Sequence, residues 1–197
     1  MIKKVLTSEQ LNVLKKEIYS NAVAHGFHDE KLTVEHYLGL VLSEIGEAIN
    51  ADRNPNAPTV TEATLEQAQL LALADQSIGH VAFVEFFKSN IKGSVIEELA
   101  DVAIRILDLA GKLGMKFDDD LEANDLVFDT TFPDRLFGFA MTLDNLDYEF
   151  TDEDDFLECL EEITSIAMHF TNLNLWKVVG LKMIYNKTRP VLNGKKY

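Results

Sequence analysis

The sequence predicts an all-α protein, a helical bundle with additions. Three observations lead there. Apolar residues recur every three or four positions through most of the chain. The four prolines, at 55, 58, 133 and 190, all fall where that periodicity stops. No run with a period of two is long enough to make a sheet.

The elements follow in order. Residues 8–25 read as a helix with Ser8 as N-cap and Leu11, Leu14, Ile18 and Ala22 as its stripe. Thr33 caps a second helix reaching about Asp52, with Leu38, Val41, Leu42, Ile45 and Ile49 on one side. The segment NPNAPT (54–59) breaks it. Residues 61–75 are rich in Ala, Leu, Glu and Gln, all strong helix formers. The aromatic stretch His80–Lys88 is short, and helix is favoured for it. A long helix spans about 92–114 and stops at Gly114, a residue suited to a C-terminal cap. Asp118–Asp125 reads as one more turn. Helices follow at about 134–148 and 153–172, the latter opened by the capping box Thr151-x-x-Asp154. Residues 174–187 close the series. The chain reads as a single domain, 1–197.

Composition bounds the function. The 197 residues are 47% hydrophobic, enough for a real core. Charges interrupt every apolar run well short of the roughly 18 residues of a membrane span. The opening MIKKVLTSEQLNVLKKEIY has no continuous apolar stretch of signal-peptide type. The one cysteine, Cys159, has no internal partner and reads as a buried small hydrophobe; a reducing, cytoplasmic setting is expected. A net charge of −15 argues against a general nucleic-acid binder. The charge is uneven. Arg135 is the only basic residue between Asp118 and Glu162, whereas Lys177–Tyr197 carries six basic residues and no acid. That cationic segment either pairs with the acidic body or holds an anionic ligand.

Two carboxylate pairs carry the chemistry. Glu44 and Glu47 stand three apart on the second helix, and Glu98 and Asp101 stand three apart on the long one. At that spacing each pair shares a helix face. If the helices packed side by side, four hard oxygen ligands would converge, a set suited to Mg²⁺ or Mn²⁺. An ordinary solvated face fits the long helix equally well. Glu97, Asp101, Arg105, Asp108 and Lys112 fall in one polar sector beside Glu98, with Arg105 four after Asp101 as a surface partner. The second helix tips the balance. No Lys or Arg lies in His36–Asp52, so Glu44 and Glu47 have no local counter-ion.

Three blocks, in order, resemble a known family. LVLSEIGEAINADR (40–53), FKSNIKGSVIEELADVAIRILDLAGKLG (87–114) and KMIYNKTRP (182–190) look like the MazG-like nucleotide pyrophosphohydrolases of the all-α NTP pyrophosphatase superfamily. Glu44 and Glu47 match the family's ExxE, Glu98 and Asp101 its ExxD. Lys182-x-x-x-Asn186-Lys187-x-Arg189 matches the tail common in MazG-like members. The chain departs from the compact members in two places. Fifty residues separate Glu47 from Glu98, so 54–86 reads as an insertion, and 118–176 adds helices.

The resemblance implies Mg²⁺-dependent hydrolysis of nucleoside triphosphates to monophosphate and pyrophosphate. Glu44, Glu47, Glu98 and Asp101 become metal ligands. Glu47 and Glu98 are the catalytic candidates, Glu47 as the residue to orient or deprotonate the water, a choice the sequence leaves open. Lys182, Asn186, Lys187 and Arg189 become phosphate contacts, with Arg53 a weaker candidate. His36 and Tyr37 are candidates for the base, along with Phe83, Phe86, Phe87 and Tyr185, although core packing explains such aromatics as well. Glu97 reads as a surface residue or one behind the ligands. The remaining histidines (25, 28, 80 and 169) show no ligand spacing, and Glu158-x-x-Glu161 has no later ExxD to partner it. Homodimers or higher homo-oligomers are implied. Two alternatives stand beside this reading: a pyrophosphatase specific for dUTP or dCTP, and a catalytically inert helical association module.

Overall fold

A computed structural model describes residues 2–74, 78–124, 128–146 and 152–191. In chain order the elements are β1 (Ile2–Leu6), α1 (Ser8–Ala24), α2 (Val34–Arg53), α3 (Glu62–Leu73), α4 (Ile78–Asn90), α5 (Val95–Leu113), β2 (Leu121–Asn124), α6 (Phe132–Thr142), α7 (Glu153–Thr171) and α8 (Leu175–Asn186). A 3₁₀ turn at Leu143–Leu146 extends α6. The all-α class holds. Among the described residues, no helix is long and apolar enough to cross a membrane.

The long helix is the axis of the bundle. α5 packs against α1, α2, α7 and α8, which surround it. Leu99, Val102, Ala103, Ile106, Leu107 and Ala110 are fully buried along it. Burying a large aliphatic side chain of this kind contributes about 1.5–3 kcal/mol. Ser94 caps the start of α5 by accepting from the Glu97 N–H, and Gly114 ends it at φ +72°, in the left-handed region where a side chain would be strained.

Caps were partly legible. Thr33 accepts from the His36 N–H as expected. α1 is capped by Thr7, not Ser8, in a reciprocal box with Gln10. α7 is capped by Asp152, whose carboxylate accepts from the Asp154 and Asp155 N–H groups, while Asp155 returns the bond. The expected cap, Thr151, lies outside the described residues. Pro133 sits inside the first turn of α6, where its missing N–H costs no helical bond.

One element was misassigned. The turn expected at Asp118–Asp125 is strand β2, paired antiparallel with β1 (Lys3 opposite Ala123, Lys4 opposite Glu122). Leu121 and Ala123 point inward, while Glu122 and Asn124 face out. The alternation lasts only four residues, too short to register as a period, and the partner strand lies more than a hundred residues upstream.

Candidate metal centre

α2 and α5 face each other along their lengths, which brings the two acidic pairs together. Carboxylate oxygens of Glu44, Glu47 and Glu98 all lie within 4.8 Å of one another. So do those of Glu97, Glu98 and Asp101, so Glu98 belongs to both groups. Glu44 is 5% exposed, Glu97 1% and Glu98 9%, and Glu47 stands at the rim. The solvated-face reading of α5 therefore fails: its polar sector points into the bundle.

Two cations meet this cluster, the buried Lys182 and the half-buried Arg105. Arg105 Nε donates to Glu44 Oε1 at 3.1 Å, which places the counter-ion of α2 on α5. The surface pair expected between Arg105 and Asp101 is not what forms. Lys182 on α8 donates to Asp101 Oδ2 at 2.6 Å and to Glu97 Oε1. The Gly93 N–H donates to the other Glu97 oxygen at 2.8 Å. Glu97 is thus a buried partner of Lys182, behind the pairs and not at the surface.

Five carboxylates against two cations leave the cluster short of positive charge, and its titration reflects this. Burial, followed by repulsion from Glu97 and Asp101, pushes the Glu98 carboxyl up to about 8. Burial also raises Glu44, with Asp101 adding to the rise and Arg105 opposing it. Burial raises Glu97 against the pull of Lys182. For Lys182 burial acts to lower the pKa, but Asp101 and Glu97 outweigh it and the net shift is upward.

The donor set fits a hard divalent cation. Oxygens bound to one Mg²⁺ at about 2.1 Å lie no more than about 4.2 Å apart. The oxygens of Glu44, Glu47 and Glu98 need only small side-chain adjustments to meet that limit.

The cluster opens into a cavity of about 240 Å³. Lys92, Asn186 and Arg189 line it together with the acids. Asn186 Oδ1 is buried without a hydrogen-bond partner among the described residues, in a residue only 9% exposed. A buried amide oxygen left so costs about 1–3 kcal/mol, which a ligand or ordered water would offset.

The other expected contacts divide. Lys182 lines the cavity, but its ammonium is engaged by Glu97 and Asp101. Lys187 points away and pairs with Glu17 at 2.6 Å, while Lys177 pairs with Glu62. The cationic tail thus pairs with the acidic body, the first of the two purposes anticipated for it, and also places Arg189 along the cavity. Arg53 is exposed at the end of α2, off the cavity. Tyr37 is buried, with its hydroxyl 3.0 Å from His28 Nδ1, and neither it nor His36 lines the cavity. Phe83 and Phe87 are core, and Phe87 stacks on Tyr185 with ring centroids 4.7 Å apart. Trp176 is a packing anchor whose indole N–H donates to Thr164. Cys159 is buried, and burial pushes its thiol up to about 12.

Among the lining groups, the sequence reading gave no site role to Asn21, Phe27, Lys92 or Asp108. Asp108 had a signal available, since it stands seven after Asp101 on the same face of α5. His28, which holds Asp108, lies on a loop with no pattern to mark it. The chain matches no protein-family model, no curated protein and no solved structure.

Proposed function

We propose that the chain is a MazG-like nucleoside triphosphate pyrophosphohydrolase that requires Mg²⁺ or Mn²⁺. The reading rests above all on one observation: carboxylates of Glu44, Glu47 and Glu98, from two helices fifty residues apart in sequence, converge within 4.8 Å in the lining of a cavity. Three cavity groups suited to phosphate oxygens stand beside them, in Lys92, Asn186 and Arg189.

In the proposed reaction a water oxygen bonds to the α-phosphorus and the bridge to the β-phosphate breaks. The products are a nucleoside monophosphate and pyrophosphate. A bound divalent cation would neutralise phosphate oxygens and acidify the attacking water. Glu44, Glu47, Glu98 and Asp101 would hold that cation. Glu47, exposed at the rim, has its second oxygen to take the proton of the attacking water. Arg105 fixes Glu44 by its 3.1 Å bond, and Lys182 fixes Asp101 from behind, leaving the second Asp101 oxygen for the cation. Arg189 and Lys92 receive the departing pyrophosphate, and Asn186 supplies an amide to a phosphate oxygen or its hydration shell.

The setting and assembly belong to the same proposal: a cytoplasmic homodimer. A lone buried thiol supports the first. Phe137 and Met141, one turn apart on α6 and 67% and 65% exposed, support the second, because bare apolar side chains at helical spacing suit a partner surface.

The test is pyrophosphate release from the common ribo- and deoxyribonucleoside triphosphates with Mg²⁺. Turnover lost in Glu98→Gln supports the reading. No triphosphate turned over faster by the wild type than by that variant would refute it.

A further inference from the structure

Beyond the acids the cavity continues along α5. Asp101 and Asp108 lie seven residues apart on that helix, so about 10 Å of wall separates them. The far end is formed by Phe27, Asn21 and Asp108. Phe27 is half-buried and carries the Arg105 guanidinium over its ring, 5.5 Å from the centroid.

Asp108 is held in a defined state. The His28 Nε2–H donates to its Oδ1 at 2.9 Å. On the other side of the ring, His28 Nδ1 lies 3.0 Å from the Tyr37 hydroxyl, which also reaches the Phe27 carbonyl at 3.5 Å. The ring of His28 is itself fixed, stacked on Tyr37 and edge-on to Tyr19. The chain of contacts from Tyr37 through His28 therefore ends on the Asp108 carboxylate. Asp108 is 3% exposed, and no hydrogen bond among the described residues reaches its Oδ2.

We infer that the end formed by Phe27, Asn21 and Asp108 selects the base of the substrate. It takes a nucleobase that donates through an exocyclic amino group, and turns away uracil and thymine. The inference rests on the proposed triphosphate chemistry and adds the substrate class. Phe27 supplies an apolar face for a ring to lie against. Asp108 accepts from an amino N–H, as carboxylates do from cytosine N4. Uracil and thymine present only one ring N–H, flanked on both sides by carbonyl oxygens that a carboxylate repels. A buried polar group left unpaired by the wrong base is what makes such sites selective.

The experiment compares pyrophosphate release from triphosphates of adenine, guanine and cytosine with those of uracil and thymine, in wild type and Asp108→Asn. Asparagine keeps the shape: its Oδ1 still accepts from His28, and its amide N–H₂ then faces the cavity as a donor. Wild-type kcat/KM for at least one amino-bearing base should exceed that for uracil and thymine by tenfold or more. In Asp108→Asn the ratio should fall by at least tenfold toward uracil. Equal wild-type use of uracil and the amino-bearing bases overturns the inference while leaving the pyrophosphatase reading standing. So does an unmoved ratio in a variant whose melting curve is intact. Where the variant fails to fold, the wild-type comparison decides. Release of pyrophosphate from no triphosphate overturns both.

Discussion

Lys182 and Asp101 sit 2.6 Å apart, nitrogen to oxygen, in a pair that ties α8 to α5 beneath the acidic cluster. The Lys182 ammonium also serves Glu97, which is almost wholly buried. Removing it leaves two carboxylates without their cation. Lys182→Met keeps the aliphatic bulk and should cost about 3–5 kcal/mol of stability, read from urea unfolding without divalent ions. Excess Mg²⁺ should restore part of the loss, since a dication beside Asp101 replaces some of the missing charge. A variant as stable as wild type would mean that the carboxylates protonate at little cost.

Glu98 ties stability to pH. Its folded-state pKa of about 8 lies above the ordinary value of 4.5. Between those limits the native chain holds a proton that the unfolded chain releases. Stability must therefore fall as pH rises from about 4.5 and level off above about 8. Glu44 and Glu97, both raised, add to the same slope. Melting in EDTA from pH 5 to 8.5 should show the decline. In Glu98→Gln it should be shallower, with the variant the more stable protein at pH 8. Parallel curves would show that Glu98 ionises freely.

The same proton sets the cation's pH dependence. A dication displaces it, so Mg²⁺ or Mn²⁺ must bind more tightly as pH rises toward 8. At one hundred times its dissociation constant a bound ion adds about 2.7 kcal/mol to folding. The rise in melting temperature at a fixed ion concentration should be larger at pH 8 than at pH 6. Glu44→Gln should reduce it at both. An equal rise in wild type and variant would place the ion elsewhere.

Fold and site differed in how far they could be read in advance. Helices α1, α2 and α5 were legible from apolar stripes at a helical period and α3 from its strong helix formers, and the acidic pairs because i, i+3 spacing fixes a shared face. Hidden from that reading was which neighbour each face would meet. Arg105 looked like a partner for Asp101 four residues away, yet it reaches Glu44 on another helix. Glu97 could be read as a surface residue or as one behind the ligands, and only the contact with Lys182 from the far end of the chain decides for the second. Strand β2 was lost because its pairing partner sits at the N-terminus. The Tyr37–His28–Asp108 chain of contacts joins a helix, a loop and a second helix, and no local spacing announces it.

Two glycines in helices should respond to alanine with opposite signs. At Gly111 on α5 a Cβ would lie 2.6 Å from the Tyr19 Cβ on α1, closer than packed atoms come. Both are anchored by helix backbone, so relief requires the helices to part. Overpacking of this kind costs about 1–3 kcal/mol, which outweighs the gain of up to about 1 kcal/mol from helix propensity. The displacement would also press Tyr19 toward His28, whose ring centroid is 4.8 Å away. At Gly39 on α2, exposed and with nothing within 4 Å of the added carbon, only the propensity gain remains. Gly39→Ala should stabilise by about 0.5–1 kcal/mol. Urea midpoints moving the same way in both variants would contradict the close approach of α1 and α5.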